Sequence, residues 1–195
     1  MPYVSQHSTA VALELIGALA TWHPQSPPQS ELRDEYIAFV TAGGAASLDR
    51  DGGAEHVTAS CFILSPGLDR VMLCFHKKGQ FWVQMGGHIE ASDSSVAAAA
   101  LREAREESGV VDLIALGGGM LLDLDRHALS STFGSCRVHW DVGFGAIAPD
   151  DVEIAVSDES EDVAWWPVDA LPLNVPTGFG DRLAGVLREL AAQTL

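Results

Sequence analysis

The chain has 195 residues, of which 47% are apolar and 19% charged, and its formal net charge at pH 7 is −16. This composition excludes a disordered chain and fits one domain with an appendage. The acidic balance disfavours nucleic-acid polymers as partners, and a phosphate-bearing substrate would need a bridging cation. No run approaches the roughly 18 apolar residues of a membrane helix, and no signal sequence is apparent, so we expect a cytoplasmic protein without a membrane partner.

The first 55 residues differ from the rest, and we expect them to form a helical extension with a linker. Apolar spacing predicts a helix over residues 9–22. A proline-rich break over residues 23–29 precedes a second helix, which Ser30 would cap and which would run to Val40. Glycine and aspartate mark a linker over residues 42–53, and the extension is assigned no function.

From residue 57 onward the pattern is typical of strands. Residues 57–64, 71–76 and 81–85 predict antiparallel strands joined by short turns. Further strands are predicted over residues 110–116, 119–124, 136–148 and 163–166, with a bulge at Gly143 and Gly145. Helices are predicted over residues 94–108 and 181–192. This order predicts an α/β fold in which helices cover both faces of a mixed sheet.

The three cysteines give little functional signal. Cys61, Cys74 and Cys136 are spaced too widely for a CxxC zinc motif. Each lies in a strand-like segment, so we expect small buried apolar side chains.

The central helix carries the chemistry. Glu103, Glu106 and Glu107 are spaced i, i+3 and i+4, so three carboxylates project from one side, with Gly109 as the C-terminal cap. A solvated acidic face would explain three glutamates alone. A site for a hard divalent cation explains them together with the upstream Gly86-Gly87 pair, because glycine lets a main-chain carbonyl approach a metal closely.

These residues resemble a known motif. Residues 87–93 and 102–110 look like the Nudix box, G-x5-E-x7-R-E-U-x-E-E-x-G-U, where U is aliphatic. The second half matches throughout, with Ala104 as a minimal aliphatic residue. In the first half Asp93 replaces the family's glutamate, and eight residues instead of seven separate it from Arg102. The preceding strands, the acidic loop over residues 157–162 and the following Trp-Trp-Pro stretch fit the family's order of elements.

The resemblance implies a Nudix-type α/β/α sandwich over residues 56–195. It also implies hydrolysis of a phosphoanhydride, such as a nucleoside diphosphate linked to another group, by metal-activated water. The implied partner is a small molecule and the implied cofactor is Mg²⁺ or Mn²⁺, whereas a homodimer is left open. The implied metal ligands are the Gly87 carbonyl, Glu103, Glu106, Glu107 and, from the acidic loop, Glu159, with Asp158 and Glu161 as alternatives. Arg102 would orient the cluster, and Glu103 is the first candidate for the general base, ahead of Glu106 and Glu159.

Four further residues are candidates for substrate binding. His76 forms a cationic spot with Lys77 and Lys78, and His88 lies inside the box loop. His139 shares a strand face with Asp141. Aromatic side chains that would either stack on a base or belong to the core are Trp82, Phe81, Trp140 and Phe144.

Two other functions stay open. One is a regulatory module that binds a nucleotide or metabolite without turnover, which the intact acidic trio disfavours. The other is an isoprenoid-diphosphate isomerase of the same fold, which needs a protonating acid and a pocket cysteine. Cys74 and Cys136 lie on predicted strands, but no sequence context supports that role.

Overall fold

Two helices precede the sheet in the computed structural model, which describes residues 6–77, 79–129, 136–149, 152, 154 and 160–193. Helix α1 spans Gln6–Thr21 and α2 spans Pro27–Gly43, followed by a 3-10 turn over Gly44–Leu48. The prediction that Ser30 caps the second helix is wrong, because Ser26 stands at the N-cap and two prolines occupy the first turn. Proline is tolerated there, since the first N–H groups of a helix have no intrahelical partner.

The remaining elements alternate strands with two helices. They are β1 (Glu55–Leu64), β2 (Arg70–His76), β3 (Phe81–Val83), β4 (Met85–His88), α3 (Val96–Ser108), β5 (Ile114–Ala115), β6 (Asp123–Ala128), β7 (Val138–Ile147), β8 (Ser160–Pro167) and α4 (Phe179–Gln193). Strands β1 and β7 run parallel at the centre of the sheet. Strand β4 pairs antiparallel with β1, and β6 pairs antiparallel with β7. Strand β2 pairs antiparallel with both β3 and β8. The sheet is therefore mixed, as the sequence predicts.

Helices cover the two faces of the sheet. On one face, the small side chains of α3 at Ala99, Ala100 and Ala104 are fully buried, in the same apolar cluster as Leu15 and Leu19 of α1. On the other, α4 packs four residues on β1 and β2: Phe179, Leu183, Val186 and Leu190. The predicted α/β/α architecture with N-terminal helices is confirmed. Within the described residues, we find no helix long and apolar enough to cross a bilayer.

The structure corrects the strands predicted after α3. In the segment over residues 110–116, only Ile114–Ala115 form a strand, and Val111 and Ile114 are exposed. The segment predicted over residues 119–124 is mostly a connection, and the strand β6 begins at Asp123. Apolar alternation did not reveal β6, because the side chains that β6 buries include aspartate.

The bulge predicted in the long strand is also wrong. Strand β7 keeps an unbroken register with β1 from Val138 to Ile147. The glycines instead make room for neighbouring side chains. A Cβ atom on Gly143 would stand 3.0 Å from the Cβ of Asp123, and one on Gly145 would stand 2.8 Å from a leucine methyl of Leu122.

Candidate active site

Helix α3 is defined at both ends by its own caps. Ser95 accepts a hydrogen bond from the Ala98 N–H (3.0 Å), so the helix begins two residues later than predicted. Gly109 adopts the left-handed conformation at the C-cap and donates to the Arg105 carbonyl, as expected for glycine there. The helix therefore presents Arg102 and the three glutamates on a rigid element next to β4.

Arg102 ties the box loop to the helix. Its guanidinium donates two hydrogen bonds to the Asp93 carboxylate, at 3.0 and 2.9 Å, and one to the His88 carbonyl at 2.9 Å. Burial alone would raise the pKa of Asp93, but the bonds from Arg102 and from the Glu90 N–H outweigh it and lower that pKa. Asp93 thus takes a defined position despite the extra residue before Arg102.

Two of the glutamates face the Gly86-Gly87 pair. Glu107 is buried, and its Oε2 accepts a hydrogen bond from the Gly86 N–H at 2.8 Å. Glu103 lies so close to Gly87 that a Cβ atom there would stand 2.6 Å from its Oε1. Only glycine permits this approach, so the Glu103 carboxylate lies directly against the main chain of Gly87.

The third glutamate joins the group through Arg102. One guanidinium nitrogen of Arg102 donates to Glu103 Oε1 at 2.9 Å and to Glu106 Oε2 at 3.1 Å. The Glu106 side chain is 58% exposed, whereas that of Glu103 is 16% exposed. The structure therefore brings Gly87, Arg102 and the three glutamates into one contiguous group at the edge where β4 ends.

The acidic loop contributes one described candidate. Glu159, Asp158 and Lys78 lie outside the described residues. Glu161 is exposed and accepts a hydrogen bond from the Gln80 side chain at 3.1 Å. The fifth ligand expected from this loop remains a prediction.

The residues predicted to bind substrate fall into two places. The rings of His88 and His139 lie 5.4 Å apart, so these two side chains are neighbours. His76 accepts a hydrogen bond from the Gly79 N–H within the hairpin turn and stacks on Phe81. Trp82 packs edge-on against Trp166 at 5.4 Å, on the α4 side of the sheet. These contacts place His76 in the β2–β3 turn and Trp82 beneath α4.

A polar face, of which the sequence analysis identified only His139 and Asp141, lies under α4 on the mixed sheet. It consists of His56, Thr58 and Ser60 of β1, Asp123, Asp125 and His127 of β6, and His139 and Asp141 of β7. Arg182 of α4 reaches into it and bonds Asp123, Asp125 and Asp141 at 2.5, 3.3 and 2.7 Å. Burial would lower the pKa of Arg182, but the three carboxylates raise it, so the guanidinium stays charged. The signal for this face is the alternation of Asp123, Asp125 and His127 within one strand.

A cavity of about 910 Å³ adjoins the polar face. Strand β6, the start of α2 and helix α4 line it, together with the Val83-Gln84 segment that leads into Gly86. Arg182 and Arg188 contribute cationic side chains to its wall. Its volume lies in the range of ligand-binding pockets.

Comparison with known proteins decides the family. The NUDIX domain model matches residues 54–190, which is more than half of the chain. The chain belongs to the NUDIX family. The family predicted from the box is thus confirmed, although no curated protein matches the sequence.

Solved structures share the Nudix fold at low sequence identity. The chain is 16% identical to the MutT protein from Methanosarcina mazei Go1, with 70% of this chain and 96% of that one covered and a TM-score of 0.55. It is 16% identical to the E. coli dihydroneopterin triphosphate pyrophosphohydrolase, with 70% and 95% covered and a TM-score of 0.54. It is 15% identical to a UDP-X diphosphatase, with 96% and 97% covered and a TM-score of 0.56. These likenesses show the fold.

Proposed function

We propose that this Nudix protein is a divalent-metal-dependent hydrolase that cleaves a phosphoanhydride in a small molecule. The supporting observation is the contact between the Glu103 carboxylate and Gly87, with Glu107 bonded to the neighbouring Gly86 N–H. On a surface that is merely acidic, each carboxylate would be hydrated, and contact between a carboxylate and glycine main chain would not be expected. A cation site does, since it needs carboxylate and carbonyl oxygens side by side.

The types of donor present suit Mg²⁺ or Mn²⁺. The donors are carboxylates and a main-chain carbonyl, which are hard oxygen ligands, and the lack of a Cβ atom at Gly87 lets the Glu103 carboxylate approach the main chain. Gly87, Glu103, Glu106 and Glu107 would hold the ion, and Glu159 of the acidic loop would join them. When bound, the ion offsets the charge of the phosphates and acidifies water.

The chain's own side chains supply positioning and proton transfer. Arg102 fixes Glu103 and Glu106 relative to the box loop, because it also holds Asp93 and the His88 carbonyl. Glu103 is the proposed general base: it is partly shielded from water and accepts the proton of the water that attacks phosphorus. Glu106 is the alternative base, since it shares the same guanidinium nitrogen and is more exposed.

We also propose that the cavity beside the polar face receives the organic part of the substrate. Its wall includes Gln84, which lies two residues before Gly86, so the cavity and the glutamate group share one segment of chain. Gly185 lines the cavity, and a Cβ atom there would meet only the Arg188 side chain, at 3.8 Å. Gly185→Phe should therefore fill the cavity and raise KM, whereas Gly185→Ala should leave KM unchanged. An unchanged KM in Gly185→Phe would exclude this cavity.

A substrate screen tests the proposed reaction. Two structures of the same fold are named as a UDP-X diphosphatase and a dihydroneopterin triphosphate pyrophosphohydrolase. The screen therefore covers nucleoside triphosphates, nucleotide sugars and dinucleoside polyphosphates, with release of phosphate or pyrophosphate measured in Mg²⁺ or Mn²⁺. We expect hydrolysis of at least one compound and its loss in EDTA. Turnover that persists in EDTA would contradict the mechanism.

Matched glutamine variants test the glutamate group. Glu107→Gln keeps an oxygen acceptor for the Gly86 N–H but removes the charge, so activity and Mn²⁺ binding should both fall. Glu31→Gln, at an exposed position of α2, should change neither. Mn²⁺ binding is measured directly by electron paramagnetic resonance. Metabolite binding without turnover under any metal would favour the regulatory alternative.

A further inference from the structure

A second group of ligand-type side chains lies on the polar face, separate from the glutamates of α3. It contains His56 of β1, Cys136 just before β7, and His139 of β7. One donor atom from each lies within 4.8 Å of the others. Among the residues that the structure describes, no other set of three histidine, cysteine, aspartate or glutamate side chains has donor atoms this close together.

The separations suit a shared metal ion. Cys136 Sγ lies 3.6 Å from His56 Nε2 and 3.7 Å from His56 Nδ1. In tetrahedral zinc sites the metal lies about 2.3 Å from sulfur and about 2.0–2.1 Å from nitrogen, so the two ligand atoms are roughly 3.5 Å apart. His56 and His139 are also register partners in the parallel pair, with ring centroids 5.1 Å apart.

One atom of the group indicates a ligand independently of these distances. The Nε2 of His139 is buried and has no hydrogen-bond partner. Buried polar atoms in folded proteins are nearly always paired, because an unpaired one costs free energy. A metal ion at the centre of the group would satisfy this nitrogen.

The chemistry of the donors selects the ion. Two imidazoles and a thiol are softer than carboxylates and carbonyls, so they favour Zn²⁺ and related transition ions over Mg²⁺. The His88 ring lies 5.0 Å from that of His56 and 5.4 Å from that of His139, which places a third imidazole beside the group. We propose that His56, Cys136 and His139 form a zinc-class metal site, with His88 as its fourth ligand.

The proposed role of this site is structural. Its ligands come from the start of β1, the start of β7 and the end of β4, so one ion would join three strands. The His88 carbonyl also accepts a hydrogen bond from Arg102, at 2.9 Å. The ion would therefore fix the strand end that precedes the box loop. Zinc binding here does not depend on the proposed hydrolysis.

Cobalt serves as the spectroscopic probe. The 195-residue chain is freed of metal with a chelator and titrated with Co²⁺, then with Zn²⁺. We expect one equivalent of Co²⁺ to produce a thiolate-to-cobalt charge-transfer band in the near ultraviolet, which Zn²⁺ removes and excess Mg²⁺ does not. Absence of this band at excess Co²⁺ would overturn the proposal.

Variants locate the site. Cys136→Ser should abolish the band, and His139→Gln should weaken Zn²⁺ binding by more than about 100-fold, beyond the usual effect of losing an outer-shell partner. Matched controls are Cys74→Ala, a buried cysteine elsewhere, and His23→Gln, an exposed histidine. Both should bind Co²⁺ normally, as should Glu107→Gln, which separates this site from the glutamate group. A band that survives in Cys136→Ser would exclude the thiol as a ligand.

A second measurement uses the unaltered chain, so it does not depend on the folding of any variant. Zn²⁺ should slow alkylation of the partly exposed Cys136, as measured by peptide mass spectrometry. The buried Cys61 and Cys74 serve as internal references. An alkylation rate of Cys136 that does not change with saturating Zn²⁺ would overturn the assignment.

Discussion

Replacing Gly87 by alanine tests the contact that supports the proposed metal site. The new Cβ would stand 2.6 Å from Glu103 Oε1 and 2.7 Å from its carboxylate carbon, whereas ordinary contact begins at 3.4 Å. The carboxylate would therefore have to retreat by about 0.8 Å, which is a local case of overpacking. That movement strains its 2.9 Å hydrogen bond to Arg102.

Two magnitudes follow from this displacement. A shift of about 1 Å at a reacting group lowers the rate by about 10²-fold, so we expect that loss in kcat/KM. Because the displaced atoms are the end of a flexible side chain, the loss of stability should be about 1 kcal/mol, the low end for overpacking. In a chain of this size that corresponds to a fall in Tm of about 2–4 °C.

Thermal unfolding and steady-state kinetics measure the two effects. Gly17→Ala is the control, since a Cβ atom there meets nothing within 4 Å in α1 and should add up to about 1 kcal/mol of stability. In a Glu103→Ala background, Gly87→Ala should have little further effect, because the colliding carboxylate is gone. Wild-type kcat/KM in Gly87→Ala, or a full additive loss in the double variant, would refute the reasoning.

Three further substitutions should change the stability of the fold in a defined direction. Arg102→Lys cannot keep both bonds to Asp93 and should lose about 2 kcal/mol in urea unfolding; an unchanged midpoint would contradict the role of the guanidinium fork. Arg182→Met leaves three carboxylates uncompensated and should lose about 3–5 kcal/mol, so a loss under about 1 kcal/mol would show that they neutralise themselves. Burial and the nearby Asp141 raise the pKa of Tyr36 well above its usual range, so stability should fall as pH rises past about 10, where the unfolded chain ionises first. Tyr36→Phe should remove that alkaline decline, and an identical pH profile in both proteins would assign it elsewhere.

Local patterns were enough to predict the glutamate group. The box residues lie within 24 positions of one another, and α3 brings them onto one side through the helical repeat alone. The cap at Gly109 was also predictable from local sequence, because glycine readily adopts the left-handed conformation that commonly ends a helix. Asp93, where the sequence departs from the box, still bonds to Arg102, since a loop absorbs one extra residue more easily than a helix does.

The polar face was not predictable in this way. Its residues come from β1, β6 and β7 and from Arg182 of α4, so no local spacing joins them. The alternating charged residues of β6 are typical of a solvent-facing strand. In the structure, the Arg182 guanidinium covers them and offsets the free-energy cost of burying their carboxylates. Of the three cysteines predicted to be buried, Cys61 and Cys74 are buried, whereas Cys136 is partly exposed. Cys136 contacts His56 across 80 positions, a separation that spacing rules for zinc motifs do not consider.

The surroundings of Arg102 and Arg182 explain why a hard cation should bind at α3 and not under α4. Arg102 contacts four carboxylates and Arg182 contacts three, so each group keeps an excess of negative charge. Under α4 that excess meets neutral donors: Ser60 and Thr58 both donate to Asp141, at 2.6 and 3.1 Å. At α3 the corresponding oxygens face Gly87 and a partly exposed edge, where an ion can enter. The excess of negative charge is therefore offset by hydrogen bonds under α4, whereas at α3 we expect a divalent ion to offset it.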